Sequence, residues 1–419
     1  MKTRVLSYND KKKVGDRVVI AVVGAGAAGM AAAIAASDDP GVQVLLLERQ
    51  ARVGRKLQAT GNGRCNLSNL HALDRGYHGD ETGFWEYALG KFPPEETLAW
   101  FEGLGLFTVK EDSGRIYPYS NQANSVVDIL RFALDRPNIE LIPDFEVSKI
   151  RKEGEAFFLT SGDRTVEADR VIIACGGLAG TKLGGSMSGY KLLRSFGHKC
   201  TKLRPTLVQL KTNWAGVGAL KGVRANCRAA IYCGQQLHAE SVGEIQFTDF
   251  GLSGPVMFEI SRDACAWPGE WTCRLDFLPD MEQERLRSAL RSRKNTILTT
   301  DDLLTGILHN RLGRVLTQAA GVRGRFPLSE MTDWQIDEVC RTVKGFSVEL
   351  KEPLGMDAAQ VTAGGIATEE FDPTTMQSRR TAGLFACGEV LDVDGDCGGY
   401  NLQWAWSSGR LAGLCAGKE

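Results

Sequence analysis

The stretch RVVIAVVGAGAAGMAAAIAAS, residues 17–37, decides the fold of this chain. After its first residue comes a run of six apolar residues, mostly β-branched, which is typical of a strand buried on both faces of a parallel sheet. Three glycines in G-x-G-x-x-G spacing follow and lead into an alanine-rich helix: Gly24, Gly26 and Gly29. The order strand, glycine turn and helix predicts the phosphate-binding unit of a dinucleotide-binding domain.

Each glycine of this turn has a separate physical task. The first makes the tight turn, the second leaves room for a pyrophosphate, and the third lets the helix and the strand pack closely. The helix N-terminus offers unpaired N–H groups and a partial positive charge to the phosphates. A second strand, VQVLLLE, ends in Glu48, whose carboxylate can accept hydrogen bonds from ribose hydroxyls. The turn therefore predicts a bound dinucleotide and leaves its identity open.

The segment after Glu48 departs from a nicotinamide-binding domain, which would normally continue with another helix and strand. A long, basic, glycine-dotted loop follows instead, RQARVGRKLQATGNGRCNLSN, residues 49–69. Its Arg52, Arg55 and Lys56 can neutralise phosphate charge, and Thr60–Gly63 has the turn chemistry to bend the backbone around a bulky group. A surface loop with solvated basic side chains is the alternative, but loops this long inside a compact domain are usually functional.

The same loop, read with its preceding glutamate as ERQARVGRKLQATGNGRCNLSN, resembles the signature of the YhiN/BaiN-like flavoproteins. This bacterial FAD-dependent oxidoreductase family is related to bile-acid dehydrogenases and aminoacetone oxidases. The resemblance continues in GRIYPYSNQANSVVDIL (114–130), in VIIACGGLAG (171–180), in FTDFGLSGP (247–255) and in the block 361–409. These blocks span nearly the whole chain in order.

The family implies an α/β fold, in which a glutathione-reductase-like FAD-binding Rossmann domain is interrupted by an inserted β-barrel and a small helical domain. The expected boundaries are 1–195 for the first part of the FAD domain, 196–280 for the barrel, 281–345 for the helical domain and 346–419 for the second part of the FAD domain. The residue patterns agree with this layout, since 200–278 is strand-like and 281–342 has helical spacing of apolar residues.

The stretch GLFACGEVLDVDGDCGGYNLQWAWSSGRLAG, residues 383–413, contains a second glycine pair. A chain with two full Rossmann units would need a second G-x-G-x-x-G turn after a strand, and the sequence has none. We therefore expect GLFACGE to return to the first sheet and to place Glu389 and Asp392 beside the FAD ribityl and pyrophosphate. A helix starting near Asn401 should then point its N-terminus at the isoalloxazine and stabilise negative charge on the reduced ring.

The residues predicted to bind FAD come from these motifs and from their family counterparts. The resemblance assigns a backbone contact with adenine to Val147, on a predicted DFEV strand, and places the ACGG turn close to the cofactor. The complete predicted set is Gly24, Gly26, Ala27, Ala28, Gly29, Glu48, Arg49, Arg55, Lys56, Thr60, Gly61, Asn62, Gly63, Cys65, Val147, Ala174, Cys175, Gly176, Gly388, Glu389, Asp392, Gly399, Tyr400, Asn401 and Leu402.

Two residues of the GRIYPYS segment are candidates for catalysis, Arg115 and Tyr117. Both can bind a substrate carbonyl or carboxylate, and the tyrosine can donate a proton to a substrate carbon during alkene reduction. The five histidines lie outside the flavin motifs and are expected to be structural or exposed.

Three functions agree with these motifs. The favoured one is an NAD(P)H-driven reductase, in which FAD reduces an activated C=C bond of a 3-oxo-steroid, bile-acid-like or other small organic substrate. The second is an oxidase of a small amine or aminoketone that passes electrons to O2. The third is a non-catalytic flavin-binding protein. Flavoenzymes can bind NADH or NADPH in an open cleft without a second fingerprint.

Composition limits the partners and the compartment. The charges balance, with 50 basic and 51 acidic residues, which disfavours a nucleic-acid or membrane-surface partner and favours a small-molecule substrate. Eleven cysteines without C-x-x-C spacing indicate reduced thiols and no zinc site. Because no apolar run is long enough to span a membrane or serve as a signal peptide, we expect a cytoplasmic protein. The expected oligomeric state is a monomer or a homodimer.

Overall fold

The structure is a computed structural model that describes residues 4–5, 17–266 and 269–418. It divides into two compact units. One unit combines Met1–Arg204 with Val361–Glu419, and the other is Pro205–Gln360. None of the helices in the described ranges combines the length and the apolar character needed to cross a membrane.

A five-stranded, all-parallel sheet forms the centre of the first unit. In spatial order its strands are Leu384–Ala386, Arg170–Ile173, Val18–Val23, Val42–Leu47 and Ile139–Ile142. The first strand of the sequence motif occupies the middle of the sheet and is buried along most of its length, as its apolar run predicts. The prediction that the C-terminal strand returns to this sheet is confirmed by its parallel pairing with the strand before the ACGG turn.

Two helices rich in small residues pack against each other in this unit, Ala27–Ala36 and the C-terminal helix Tyr400–Lys418. Their backbones are in close contact, because a Cβ on Gly409 would lie 2.3 Å from the carbonyl oxygen of Ala28. The helix of the glycine turn and the helix of the C-terminal motif are therefore held together by sequence positions where only glycine fits.

Shorter elements complete the first unit. Its other strands are Arg4–Val5, Ser68–Asn69, Tyr77–His78, Thr108–Lys110, Arg115–Pro118, Lys149–Glu153, Ala156–Ser161, Arg164–Ala168, Val361–Ala363 and Asp394–Gly395, with Arg204–Thr206 at the boundary. Its other helices are Arg55–Ala59, Glu86–Lys91, Pro94–Gly103, Ala123–Ala133 and Ser188–Arg194. Single 3-10 turns lie at Thr60–Gly63, Thr181–Leu183, Thr368–Glu370 and Gly388–Val390.

The described residues of the second unit, 205–266 and 269–360, form a closed six-stranded barrel and four helices. The barrel strands, in spatial order, are Leu210–Thr212, Gly251–Ser253, Gln236–Phe247, Arg224–Cys233, Trp271–Asp276 and Phe346–Pro353. The helices are Pro255–Ala266, Gln283–Ser292, Asn310–Ala319 and Asp333–Gly345, with 3-10 turns at Val217–Leu220, Arg293–Asn295, Thr300–Asp302 and Leu328–Glu330. The chain therefore has the Rossmann fold and the inserted barrel that the sequence predicts.

The structure differs from the sequence-based layout at several points. The strand Phe346–Pro353 pairs with Leu210–Thr212 and with Trp271–Asp276, so residues 346–360 belong to the barrel unit although the sequence analysis gave them to the FAD domain. The strand Leu210–Thr212 pairs with Gly251–Ser253 on one side, and barrel closure requires a second partner, which the segment after the helices supplies. The helix Pro255–Ala266 lies inside the region predicted to be strands, and its proline stands at the first helical position.

Two predicted elements are shorter than expected or absent. The helical pattern of residues 301–320 becomes a helix only from Asn310, after a left-handed turn at Gly306. The predicted DFEV strand around Val147 is irregular, because Asp144 is left-handed (φ +52°) and turns the chain just after the strand Ile139–Ile142. Val147 itself is buried, and the neighbouring N–H of Phe145 donates to the carbonyl oxygen of Glu48 at 2.9 Å.

Candidate functional site

The first glycine turn has the geometry that its spacing predicts. Gly24 is left-handed (φ +104°), and a Cβ there would lie 2.6 Å from the carbonyl oxygen of Ala174. A Cβ on Gly29 would lie 1.8 Å from the carbonyl oxygen of Gly24, so only glycine allows this close approach. Gly26 caps the helix Ala27–Ala36, and a Cβ there would meet no atom within 4 Å. The backbone beside Gly26 therefore faces open space at the positive end of a helix.

Glu48 ends its strand beside this turn. Its Oε2 accepts a hydrogen bond from the N–H of Ala25 at 2.7 Å, and its Oε1 accepts one from the N–H of Gln50 at 2.9 Å. A carboxylate oxygen accepts more than one hydrogen bond, so both contacts orient the group and leave capacity for a ribose hydroxyl. The ribose contact of Glu48 stays a prediction.

An ion pair joins the basic loop to the C-terminal motif. Lys56 Nζ lies 2.8 Å from Glu389 Oε2, and the two side chains are 32% and 19% exposed. The other oxygen of this carboxylate accepts the N–H of Thr362 at 2.8 Å. A Cβ on Gly177, next to the predicted ACGG contacts, would lie 2.6 Å from the same oxygen. Segments that are far apart in sequence thus converge on Glu389.

Two other predicted arginines bind groups of the protein. Arg49 donates through Nη2 to the carbonyl oxygen of Gly184, and Arg55 donates through Nη1 to the side chain of Gln50 at 2.9 Å. Each guanidinium has further N–H groups, so a phosphate contact remains compatible with these bonds.

The short helix Arg55–Ala59 is followed by an unusual turn. Four of its residues have left-handed backbone, with φ between +55° and +83°: Gly61, Asn62, Gly63 and Cys65. The N–H of Cys65 donates to the carbonyl oxygen of Thr60 at 3.0 Å and closes the turn. Burial raises the pKa of the Cys65 thiol to about 12, so this thiol packs as a neutral group. Left-handed non-glycine residues concentrate at functional sites, which supports the predicted role of this loop.

The second glycine pair lets the C-terminal helix approach that loop. Gly399 and the glycine before it are left-handed (φ +105° and +130°), and a Cβ on Gly399 would lie 2.3 Å from the carbonyl oxygen of Ser68. The helix begins at the next residue, which agrees with the predicted start near Asn401. The Asn401 side chain bonds both backbone groups of Gly395, at 2.8 and 2.7 Å, and fixes the chain that leads into the helix. Tyr400 and Leu402 flank it in this first turn.

The ACGG turn and the C-terminal segment around Gly388 both lie against the helix Ala27–Ala36. Gly388 is left-handed (φ +74°), and a Cβ there would lie 2.8 Å from the Cβ of Ala28. Gly176 is also left-handed (φ +71°), and a Cβ on it would meet no atom within 4 Å. Burial raises the pKa of the Cys175 thiol to about 12, as expected for an unreactive thiol.

Asp392 is a buried carboxyl group beside these segments. Burial is the main cause that raises its pKa to about 6, and the nearby charge of Asp80 adds to the rise. The N–H of Asp80 donates to Asp392 Oδ2 at 3.4 Å, and a Cβ on Gly79 would lie 2.3 Å from the Asp392 carbonyl oxygen. The predicted ribityl or pyrophosphate contact of this residue stays a prediction.

Tyr117 lies between charged groups beside the left-handed loop. The guanidinium of Arg64 stacks over its ring, 4.0 Å from the centroid, and Arg64 Nη2 lies 3.1 Å from Glu111 Oε1. Burial, followed by the charge of Glu111, raises the pKa of the Tyr117 phenol, while Arg115 and Arg64 act in the opposite direction. A Cβ on Gly61 would lie 3.5 Å from the tyrosine ring. The phenol is therefore protonated at neutral pH beside two cations that favour its conjugate base.

Two further residues of this site, Arg64 and Asn66, are not among those predicted from the sequence. Both lie inside the quoted loop, on either side of the predicted Cys65, so their position was a usable signal. The structure shows why they matter, since one stacks on Tyr117 and the other carries a buried amide oxygen, Oδ1, that accepts no hydrogen bond from the described residues.

One histidine takes part in a buried network outside this site. His198 Nδ1 lies 2.8 Å from Glu370 Oε2, and its Nε2 lies 2.9 Å from Ser378 Oγ. A serine, a histidine and a carboxylate joined in this order resemble a hydrolase triad. His198 is only 3% exposed, however, and the ring of Phe371 stacks on it with the ring centroids 4.6 Å apart. The network therefore links structural segments, in agreement with the expectation for the histidines.

The observations fit a bound FAD. The open backbone at Gly26 leaves room for a pyrophosphate, and Asn66 Oδ1 is a buried acceptor without a donor among the described residues. The N–H and hydroxyl groups of a flavin nucleotide are donors of this kind. The loop containing Asn66 and the N-terminus of the C-terminal helix lie together at one end of this site.

Comparison with known proteins identifies the family. Residues 18–415 match the family described as HI0933-like protein Rossmann domain. The chain belongs to this family. This confirms the predicted flavoprotein resemblance and makes the chain an oxidoreductase with a Rossmann fold, and the family supports FAD as its cofactor.

Several relatives of the HI0933-like chain are known. A 3-dehydro-bile acid delta(4,6)-reductase of Clostridium scindens is 41% identical over 407 residues, covering 96% of this chain and 99% of the relative. A ribosomal RNA dihydrouridine synthase of Escherichia coli is 30% identical, covering 92% and 95%. A crystal structure of 3-ketosteroid delta1-dehydrogenase from Sterolibacterium denitrificans has a TM-score of 0.50 at 13% identity, covering 96% of this chain and 100% of that one, and it supports the fold alone.

Proposed function

We propose that this protein is an FAD-dependent reductase of an activated C=C bond in a 3-oxo-steroid, a bile-acid-like compound or a similar small molecule, with NADH or NADPH as the electron donor. The observation that carries the proposal is the protonated Tyr117 phenol, held under Arg64 beside the loop predicted to surround the flavin. The 41% identity to a bile-acid reductase over nearly the full chain supports the substrate class.

A glutathione-reductase-like layout, which the family resemblance implies, would assign the cofactor to residues of the first unit. The glycine turn would hold the pyrophosphate, Glu48 the adenosine ribose, and the Lys56–Glu389 pair would adjoin the ribityl chain. The first turn of the C-terminal helix and the Gly61–Cys65 loop would enclose the isoalloxazine. When bound, FAD supplies the hydride chemistry that protein side chains lack.

The protein itself supplies a proton and binds the carbonyl group of the substrate. Reduction of an activated C=C bond requires a proton at the carbon next to the carbonyl, and Tyr117 Oη is the donor in this proposal. Its burial and Glu111 keep the phenol protonated, and Arg64 and Arg115 stabilise the phenolate once the proton has left. Arg115 also binds the carbonyl oxygen of the substrate and favours charge on that oxygen during reduction.

An anaerobic stopped-flow experiment tests the reaction. NADH or NADPH should bleach the flavin absorbance, and a conjugated 3-oxo-steroid should restore it without O2. Bleaching by an amine, with peroxide formed on aeration, would instead establish the oxidase. No bleaching by any donor would leave a flavin-binding protein without this activity.

The variant Tyr117→Phe separates the two half-reactions. It should leave bleaching by NAD(P)H within about twofold and slow reoxidation by the steroid about 10²-fold or more, the usual contribution of a general acid. Arg115→Lys, which keeps the charge but loses the planar fork, is the matched comparison for carbonyl binding. Equal reoxidation rates in wild type and Tyr117→Phe would refute the proton-donor role.

The 30% identical relative favours a second substrate, a uracil ring in RNA, since dihydrouridine is uridine with its C=C bond reduced. The balanced charge of the chain favours the small molecule, because phosphate contacts require clustered basic residues. Reoxidation of the bleached flavin by ribosomal RNA, and not by steroids, would decide for this alternative.

A further inference from the structure

Asn66 has an amide group that the described protein leaves without partners. Its Oδ1 is buried and accepts no hydrogen bond there, and its Nδ2 likewise forms none with the described residues. Buried polar atoms of native proteins are nearly always bonded, so an unpaired one calls for an explanation. A ligand that carries a donor is such an explanation.

The amide lies between the two segments predicted to enclose the flavin ring. A Cβ on Gly399 would lie 3.0 Å from Asn66 Oδ1, so this oxygen lies directly before the N-terminus of the C-terminal helix. A Cβ on Gly61 would lie 3.6 Å from the Cβ of Asn66, which places the left-handed loop on another side. The position is therefore that of the ring end of the site.

The backbone at Asn66 is held in place by two hydrogen bonds of the next residue, Leu67. The N–H of Leu67 donates to the carbonyl oxygen of Ile116 at 2.7 Å, and the carbonyl oxygen of Leu67 accepts the indole N–H of Trp406 at 2.9 Å. Because Trp406 belongs to the C-terminal helix, the amide and that helix are held in one arrangement. A preorganised group of this kind binds its ligand with little loss of conformational entropy.

A nearby asparagine shows what a structural amide looks like in this protein. Asn69 donates through Nδ2 to the carbonyl oxygen of Gly398 at 2.8 Å, and its Oδ1 accepts the N–H of His71 at 2.9 Å. Both ends of that amide are used within the chain. Asn66 differs from it in leaving both ends available.

We propose that Asn66 recognises the imide edge of the flavin, an inference that rests on the FAD assignment of the proposed function. This edge presents the acceptor O2, the donor N3–H and the acceptor O4 side by side. Asn66 Oδ1 accepts from N3–H, and Nδ2 donates to a neighbouring carbonyl oxygen of the ring. The first-turn N–H groups of the C-terminal helix supply donors at the same place.

The proposal predicts separate effects on binding and on redox potential. Because N3–H is present in both oxidation states, Asn66→Leu should weaken FAD binding at least tenfold. Asn66→Asp places a negative charge beside the ring and disfavours the anionic reduced flavin. It should therefore lower the midpoint potential by at least about 30 mV, which is a tenfold change for a two-electron couple.

The test compares Asn66→Leu with the control Asn69→Leu. Apoprotein stability is measured by urea unfolding, and FAD affinity by fluorescence titration of the full chain. The leucine at 66 should leave the unfolding midpoint unchanged or higher, since it replaces an unpaired polar group, while FAD binding falls. The leucine at 69 should lower the unfolding midpoint.

Two results would overturn the inference while leaving the proposed function intact. One is wild-type FAD affinity in Asn66→Leu together with a wild-type potential in Asn66→Asp. The other is a loss of apoprotein stability in Asn66→Leu that equals that of Asn69→Leu. If Asn66→Leu does not fold, the potential of Asn66→Asp decides alone. Wild-type protein that binds no FAD would refute the proposed function itself.

Discussion

Alanine at Gly26 should abolish FAD retention while the apoprotein stays folded. The backbone of Gly26 is extended (φ −83°, ψ −167°), which alanine adopts freely, and a Cβ would meet no atom of the protein within 4 Å. The remaining effect on stability is the poorer helix cap that alanine makes, about 0.5–1 kcal/mol. The new methyl group instead fills the space through which a pyrophosphate would reach the helix N-terminus.

The size of the binding loss follows from the hydrogen bonds that the methyl group prevents. A hydrogen bond to a charged group contributes about 1.5–3 kcal/mol, so losing two of them weakens binding by at least about 3 kcal/mol. This corresponds to a loss of about 10²-fold or more in FAD affinity.

Alanine at Gly29 is the matched comparison within the same turn. There a Cβ would lie 1.8 Å from the carbonyl oxygen of Gly24, so the helix has to move away from the strand. Overpacking of this kind costs about 1–3 kcal/mol, occasionally more, and should lower the stability of the apoprotein directly. The two variants therefore separate two effects: Gly26 leaves room for the pyrophosphate, and Gly29 lets the helix pack closely against the strand.

The assay combines urea unfolding of the apoproteins with FAD titration followed by flavin fluorescence. The expected result for Gly26→Ala is a stability loss of no more than about 1 kcal/mol with FAD affinity lowered about 10²-fold or more. For Gly29→Ala it is a clearly lowered unfolding midpoint. Wild-type FAD affinity in Gly26→Ala would refute the assignment of this turn to the pyrophosphate. An equal loss of stability in both variants would refute the argument from the open space at Gly26.

Three further predictions concern stability and thiol chemistry. Gly399→Ala should destabilise the fold by several kcal/mol in urea unfolding, because its Cβ would press against the carbonyl oxygen of Ser68. Gly63 is also left-handed (φ +83°), but a Cβ there would meet no atom within 4 Å, so Gly63→Ala should cost only about 1 kcal/mol. Because burial raises the pKa of Asp392 to about 6, its ionisation destabilises the fold as pH rises from about 4 through 6. Asp392→Asn should therefore raise the apoprotein unfolding free energy at pH 7 by up to about 3 kcal/mol and flatten its dependence over that range, and an unchanged pH profile would contradict the shift. With a pKa of about 12, the Cys65 thiol should resist alkylation by iodoacetamide at pH 8 until urea unfolds the protein, and mass spectrometry of native samples would reveal any earlier labelling.

Local pattern was enough to predict several elements of the candidate cofactor site. The strand Val18–Val23, the glycine turn and the helix after it follow from an apolar run and from glycine spacing, which act within some twenty residues. The helix Asp333–Gly345 likewise lies at the end of the region 281–342 whose apolar spacing predicts helix. The return of the C-terminal strand to the first sheet was also predictable, because a second nucleotide fingerprint is lacking.

Elements whose conformation depends on distant partners were predicted less well. The strand Phe346–Pro353 joins the barrel because the strand Leu210–Thr212 needs a partner, and no local pattern records that need. The helix Pro255–Ala266 was not predicted, because it lies within residues 200–278, which have a strand-like pattern. The predicted strand around Val147 is absent because Asp144, three positions earlier, is left-handed and breaks the extended backbone.

The sequence by itself determined the fold class, the family and the segments that form the site, since these depend on residue order and spacing. Only the tertiary structure decided which groups meet there: the Lys56–Glu389 pair, the Arg64 guanidinium over Tyr117, and the unpaired amide of Asn66 against Gly399. Such contacts join segments that are distant in the chain, and their distances and burial, which set pKa and hydrogen bonding, arise only when the chain has folded.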